Sequence, residues 1–93
     1  MLTSDEIKAL SAILAKATDK SAEEDDGDPV FHEVRLLEVN PFPSKHIQAE
    51  VYEGLSRKGF IDGSVYMHMG TEEEFVCITQ QGYEAFLASS APH

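Results

Sequence analysis

Ser44-Lys45-His46-Ile47-Gln48-Ala49-Glu50-Val51-Tyr52-Glu53-Gly54-Leu55-Ser56-Arg57-Lys58-Gly59-Phe60-Ile61 carries signals for both its start and its stop. Ser44 is a hydroxyl N-cap, and the Asn40-Pro41-Phe42-Pro43 run before it resists helical geometry. Ile47, Val51 and Leu55 recur at helical spacing, with Gly54 beside them, and form one inward stripe. Arg57 and Lys58 fall in the last turn, where the helix dipole favours cations, and Gly59 is the residue that lets a helix end in a left-handed turn. The spacing predicts a helix over 44–58, after which Phe60-Ile61 opens a different period.

Downstream, Asp62-Gly63 reads as a turn signal. Val65-Tyr66-Met67-His68-Met69 reads as a strand and Glu74-Phe75-Val76-Cys77-Ile78 as its return, joined through Gly70-Thr71-Glu72-Glu73 by a loop longer than two residues. Alternation puts Val65, Met67 and Met69 on one face and Tyr66 and His68 on the other, one set to pack on the helices and the other exposed. Thr79 caps a last helix over 80–89 with Tyr83, Phe86 and Leu87 inward, and 88–93 read as a fraying tail.

Upstream, Thr3-Ser4-Asp5-Glu6 has the form of a capping box, and Ile7, Leu10, Ile13, Leu14 and Ala17 make an apolar stripe, so a helix is expected over 3–18. Residues 23–28 crowd five acids into six positions, and 19–28 is expected to be an acidic flexible loop. Residues 29–39 read as a short second helix with Asp28 as N-cap and Pro29 in its first turn. Val30, Val34 and Leu37 line one face, but Leu36 and Val39 fall nearly opposite. The segment is therefore either a helix buried on two sides or partly a strand.

The whole chain has 93 residues, 7 Lys plus Arg against 17 Asp plus Glu, and a formal net charge of −10. One domain over 1–93 is expected. The charge is the wrong sign for wrapping nucleic acid or lying on an anionic membrane. Neither an apolar run long enough to span a bilayer nor a signal peptide is read, and the single Cys77 forms no internal bridge, so a cytoplasmic setting is expected.

Two pieces together resemble the winged helix-turn-helix superfamily. Ile47 to Ile61 is similar to the third helix of such domains and its exit into the wing. Ile78-Thr79-Gln80-Gln81-Gly82-Tyr83-Glu84-Ala85-Phe86-Leu87 is similar to the phrase that closes the wing and starts the final helix. Length and layout resemble most the small prophage-encoded winged-helix proteins of the YjcQ type. The resemblance implies an α+β fold with three helices, a two-stranded wing hairpin and a C-terminal helix. In that family the third helix usually enters the major groove while the wing touches the flanking backbone.

The residues argue against a duplex partner. The outward arc of the 44–58 helix is Lys45, His46, Ala49, Tyr52, Glu53 and Ser56, and base readout finds only Lys45 and Gln48 as good candidates. The wing tip offers Glu72, Glu73 and Glu74, each repelling a phosphate by up to about 1 kcal/mol in high dielectric. Residues 41–93 hold 3 basic and 7 acidic side chains, and residues 1–40 hold 4 and 10. The expectation is a non-catalytic regulator or accessory protein, of phage or mobile-element type, that binds a protein partner or a second copy through Lys45, His46, Ala49, Tyr52, Glu53, Glu72, Glu73 and Glu74. The alternative is a dimeric DNA-binding transcription regulator using Lys45, Gln48, Tyr52, Arg57 and Lys58. A narrower alternative is an acidic decoy that occupies the nucleic-acid site of a basic protein.

Other chemistry finds little footing. The four histidines share no i, i+3 or i+4 spacing, and the acid-rich loop lacks EF-hand form, so no metal site is expected. No nucleophile elbow, dinucleotide fingerprint or phosphate loop occurs, and neither enzyme activity nor a cofactor is expected. Cys77, between Val76 and Ile78, reads as a buried inert thiol. Tyr52, Tyr66, Met67 and Met69 read as core or edge packing, with an exposed Tyr/Met patch for a partner or a second copy as the alternative.

Overall fold

The computed structural model describes residues 2–24, 30–39 and 41–90. The chain is α+β, with three α-helices and a three-stranded antiparallel sheet among the described residues. The elements are α1 (Ser4–Glu24), β1 (Val34–Arg35), a 3-10 turn (Leu36–Glu38), α2 (Lys45–Arg57), β2 (Ile61–His68), β3 (Thr71–Ile78) and α3 (Gln80–Ser90). The sheet order is β1-β3-β2.

α1 begins as its sequence expects. The Thr3 N–H donates to Glu6 Oε1 at 2.9 Å, and the Glu6 N–H donates to Thr3 Oγ1 at 3.1 Å, the reciprocal capping box. Leu10, Ile13 and Ala17 are buried, with Ala9 beside them, while Ile7 and Leu14 pack partly buried against the core. The helix does not stop at 18. It runs on through Asp19–Glu24, so the first part of the expected acidic loop is helical, and Asp25–Asp28 lie outside the described residues. No glycine or proline interrupts the chain before Gly27. Like charges one turn apart cost only a few tenths of a kcal/mol, too little to end a helix already nucleated.

The expected second helix over 29–39 is replaced by β1 and the 3-10 turn. Val34 pairs with Val76 and Arg35 with Phe75, which buries Val34 and leaves Arg35 outside. This is the partly extended alternative left open by the broken periodicity. A β-branched residue with a strand to pair against is held better by the ladder than by a short helix with apolar residues all round. Of the winged-helix count, three of four helices are therefore present as α-helices. The Asp28 cap and Pro29 fall outside the described residues.

α2 matches its expected bounds. Ser44 Oγ accepts from the His46 N–H at 3.1 Å. The helix closes in a Schellman motif: Phe60 N–H donates to Leu55 O and Gly59 N–H to Ser56 O, both at 3.0 Å, with Gly59 at φ +75°. The hairpin is longer and its turn tighter than expected. Asp62-Gly63 lies inside β2, paired with Cys77 and Val76, because eight continuous pairs from Ile61↔Ile78 to His68↔Thr71 outweigh one local turn signal. The turn is the two residues Met69-Gly70, with φ +50° and +81°, the signs of a type I′ turn. Residue 70 is glycine, as that turn demands, and residue 69 is not the usual Asn or Asp.

α3 follows at once. Thr79 Oγ1 accepts from the Gly82 N–H at 3.0 Å, the expected cap. Residues 88–90 remain in this helix, and 91–93 lie outside the described residues. The core is one cluster: Leu10, Ile13 and Ala17 from α1, Leu55 and Tyr52 from α2, and Val34, Ile61, Val76 and Ile78 from the sheet. Phe31 and Tyr83 meet edge to face with centroids 6.0 Å apart. No helix among the described residues is long and apolar enough to cross a membrane.

Candidate functional site

The candidate surface is built where α2 hands the chain to the hairpin, and its root is tightly tied. The carbonyls at the end of α2 are met by the start of α3. Gln81 Nε2 donates to Lys58 O at 3.2 Å, Thr79 Oγ1 to Gly59 O at 2.7 Å and Thr79 N–H to Phe60 O at 3.0 Å. α3 passes so close that a Cβ on Gly82 would overlap the carbonyl oxygen of Phe60 and lie 2.8 Å from its carbon. Lys58 Nζ reaches across to the first turn of α1 and donates to both Glu6 oxygens, at 2.9 and 2.7 Å. Burial alone would raise the Glu6 carboxyl. The Lys58 ammonium and the Thr3 donors outweigh it and hold Glu6 below its ordinary value.

One residue assigned to the surface from sequence needs correction. Tyr52, expected on the outward arc, is buried, and its hydroxyl donates to Val39 O at 2.8 Å. Burial pushes that hydroxyl up to about 12, so it stays a donor. α2 therefore faces inward along Tyr52 and Leu55, with Val51 half-buried, while Ile47 comes to the surface. The cause is amphipathic: the ring joins the core cluster, and the hydroxyl satisfies the Val39 carbonyl at the end of the 3-10 turn. Lys58 stays at the surface, with its ammonium held by Glu6.

The remaining candidates on α2 are at the surface. Lys45, His46, Ala49 and Glu53 are exposed and Gln48 is half-buried. The cations are mostly paired at home. Arg57 Nη2 donates to Glu53 Oε1, and His46 Nε2 lies 3.2 Å from Glu50 Oε1. Lys45 alone of the α2 cations makes no ion pair with a described residue. Of the five residues of a DNA-reading face, one is buried and two are engaged in ion pairs.

The hairpin has two faces. Register and alternation put Ile61, Val65, Met67, Glu72, Glu74, Val76 and Ile78 on the core face. At the root this face is covered by helices; toward the tip it outruns them. Val65 and Met67 are therefore exposed although they share a face with core residues. The expectation that one alternating set packs on the helices fails here, since Tyr66 is exposed as well. On the outer face Tyr66 packs edge-on against Phe75 at 5.2 Å, and its hydroxyl donates to Glu33 at 3.0 Å. Arg35 lies 3.4 Å from Glu73 and over the Phe75 ring. Glu72 and Glu74 are exposed, and Glu73 is half-buried.

A groove of about 300 Å³ runs between α2 and the core face of the hairpin, with Tyr52 and Leu36 in its floor and Glu53 and Glu74 on its rim. It joins two α2 candidates, Tyr52 and Glu53, to one tip candidate, Glu74; Lys45, His46 and Ala49 do not line it. Leu37 stands nearby, 87% exposed, and the turn residue Met69 is 93% exposed. Leu36, Leu37 and Arg35 were not among the expected site residues. Their signal was the failed periodicity of 29–39, where Leu36 and Leu37 pointed apart.

Cys77 is half-buried on the outer face opposite Asp62. Burial pushes its thiol up, and the Asp62 and Glu33 carboxylates add to the effect, so it is not a thiolate at neutral pH. Among the described residues no three His, Cys, Asp or Glu side chains converge as a metal site. Comparison with protein-family models, curated proteins and solved structures finds no match to this chain.

Proposed function

We propose that the chain is a winged-helix protein-binding module without catalytic activity, a small regulator or accessory protein that works through an acidic surface. Support for the winged-helix reading comes from the path of the chain. A capped helix ends at Gly59, leads directly into a hairpin, and the hairpin returns through Thr79 into a closing helix. A 3-10 turn stands where that reading expects a helix between α1 and α2.

The observation that carries the choice of partner is the pairing of cations. Arg57, Lys58 and Arg35 are each neutralised by a carboxylate of the same domain. Glu72 and Glu74, with no ion-pair partner among the described residues, stand beside the exposed side chains of Leu37, Val65 and Met67. A surface of apolar side chains rimmed by carboxylates suits a basic protein surface and repels a phosphate backbone.

Two measurements test this together. In a gel shift at about 50 mM salt, random and genomic duplexes are expected to run free. In affinity capture from the cells that make the chain, a specific protein is expected with wild type and lost with a Glu72→Gln/Glu74→Gln/Leu37→Ser variant. Duplex retention that weakens steeply with salt and disappears in Lys45→Ala would overturn the reading in favour of a DNA-binding dimer. A captured protein that releases its own nucleic acid would narrow it to a decoy.

A further inference from the structure

One edge of the sheet is only half filled. β1 pairs with β3 at Val34↔Val76 and Arg35↔Phe75, and the 3-10 turn then carries the chain away. β3 continues through Thr71–Glu74, paired with β2 on one side and with no described strand on the other. Along a strand the N–H and C=O groups of successive residues alternate between its two sides. Half of this run therefore aims both backbone groups into the open side, and no loop or turn backbone among the described residues bonds to them.

The open side is a slot rather than a bare edge. A cavity of about 340 Å³ lies along it, walled by Arg35, Leu36 and Leu37 on one side and by the Thr71–Glu74 run on the other. Glu72 and Glu74 share one face of the sheet and make no ion pair with a described residue; Glu73 points to the other face and holds Arg35. The slot thus offers unpaired backbone, two free carboxylates at strand spacing, and Leu37 as an apolar wall.

We propose that this slot takes an extended basic segment of a partner protein, added to β3 as a strand in line with β1. The inference rests on the protein-binding reading above and specifies its partner. Backbone pairing with β3 supplies affinity. Lys or Arg at alternate positions of the segment meets Glu72 and Glu74, and an apolar residue rests against Leu37. The other free edge, along β2, does not fit the same segment. After Asp62 its residues are Gly63, Ser64, Val65, Tyr66 and Met67, with no carboxylate to select a basic chain.

The probe is the synthetic peptide Ac-Lys-Thr-Lys-Val-Lys-Thr-Lys-amide, titrated into the full chain labelled for amide NMR. Two further peptides carry N-methyl groups on one or the other alternating set of residues, which keeps the charge and removes the donors on one side. The expected result is slowed amide exchange within Thr71–Glu74 and at least about tenfold weaker binding for one methylated peptide but not the other. Glu72→Gln/Glu74→Gln is expected to weaken the parent peptide by a similar factor while the cross-strand contacts of the hairpin persist. Equal binding by all three peptides would overturn strand addition, as would protection confined to β2. Protection of Thr71–Glu74 that rises with protein concentration in the absence of peptide would give the edge to a second copy and also overturn it. If host capture still depends on Glu72 and Glu74 while the peptide fails, strand addition falls and the protein-binding reading stands. If both fail, both fall.

Discussion

The two ends of the β2–β3 hairpin share one register and one pair of strands, yet they are different materials. At the root, Ile61, Val76 and Ile78 are buried, Phe60 O is bonded by Thr79, and Gly82 lets α3 pass against the Phe60 backbone. At the tip, Val65, Met67 and Met69 are exposed and the glutamates lie beside them. At the root α1 and α2 pack on the strands and α3 on the Phe60 backbone; the tip meets the short β1 edge, Glu33 and the 3-10 turn beside it. A hairpin that outruns its cover holds its outer part out as a surface. Substitutions at the two ends are therefore expected to part company: those at the root change stability and those at the tip change binding.

The sharpest test of that division is Gly82→Ala. The added methyl would collide with backbone atoms of Phe60, which cannot rotate away as a side chain would. A loss of about 3–4 kcal/mol is expected in urea unfolding followed by circular dichroism. A near-neutral result would show that α3 is free to slide and that the root is not rigid.

Glu6→Gln comes next. It removes the carboxylate that receives both Thr3 N–H and Lys58 Nζ. A loss of about 1–2 kcal/mol is expected at neutral pH, for a cap and a partly exposed ion pair. The pH dependence carries the sign. The Glu6 carboxyl is held below its ordinary value in the folded chain, so its contribution is full above the unfolded value of about 4.3 and fades as pH falls through the folded one. The gap between wild type and variant is expected to hold from pH 7 to about 5 and then to narrow with further acidification.

A smaller effect is expected for Tyr52→Phe, which leaves Val39 O without its buried donor. Loss of about 1 kcal/mol, with unchanged capture of the partner, would confirm that Tyr52 belongs to the packing and not to the surface. The smallest change has the opposite sign. Met69→Asn puts a residue that tolerates φ +50° into the turn, and a gain of a few tenths of a kcal/mol is expected in the same unfolding assay.

The parts of the fold legible in the sequence were those with local chemistry. The capping box at Thr3–Glu6, the Ser44 cap, the Gly59 exit and the Thr79 cap each depend on residues within a few positions, and each appears where it was expected. What misled was decided at a distance. Val34 becomes a strand because Val76 is there to pair with it, and Asp62-Gly63 is straightened by β3. Tyr52 turns inward because Val39 O, thirteen residues away, needs a donor. The candidate surface divides in the same way. The glutamates of the tip were visible as a run of charge, but the slot beside them was not, since it exists only because β1 stops after two residues.

The open side of β2 has a consequence for handling the protein. Between Ile61 and Met67 its only formal charge is Asp62, and it holds neither the lysine nor the proline that commonly guards a strand edge. Colloidal repulsion among copies, each at −10, is left to keep such edges apart. Titration toward the isoelectric point near 4.6 cancels that repulsion while Glu6, held below its ordinary value, still keeps its hold on Lys58. Solutions of this chain are therefore expected to cloud on mild acidification, through edge-to-edge pairing of β2 strands, and to keep best several pH units higher at low ionic strength.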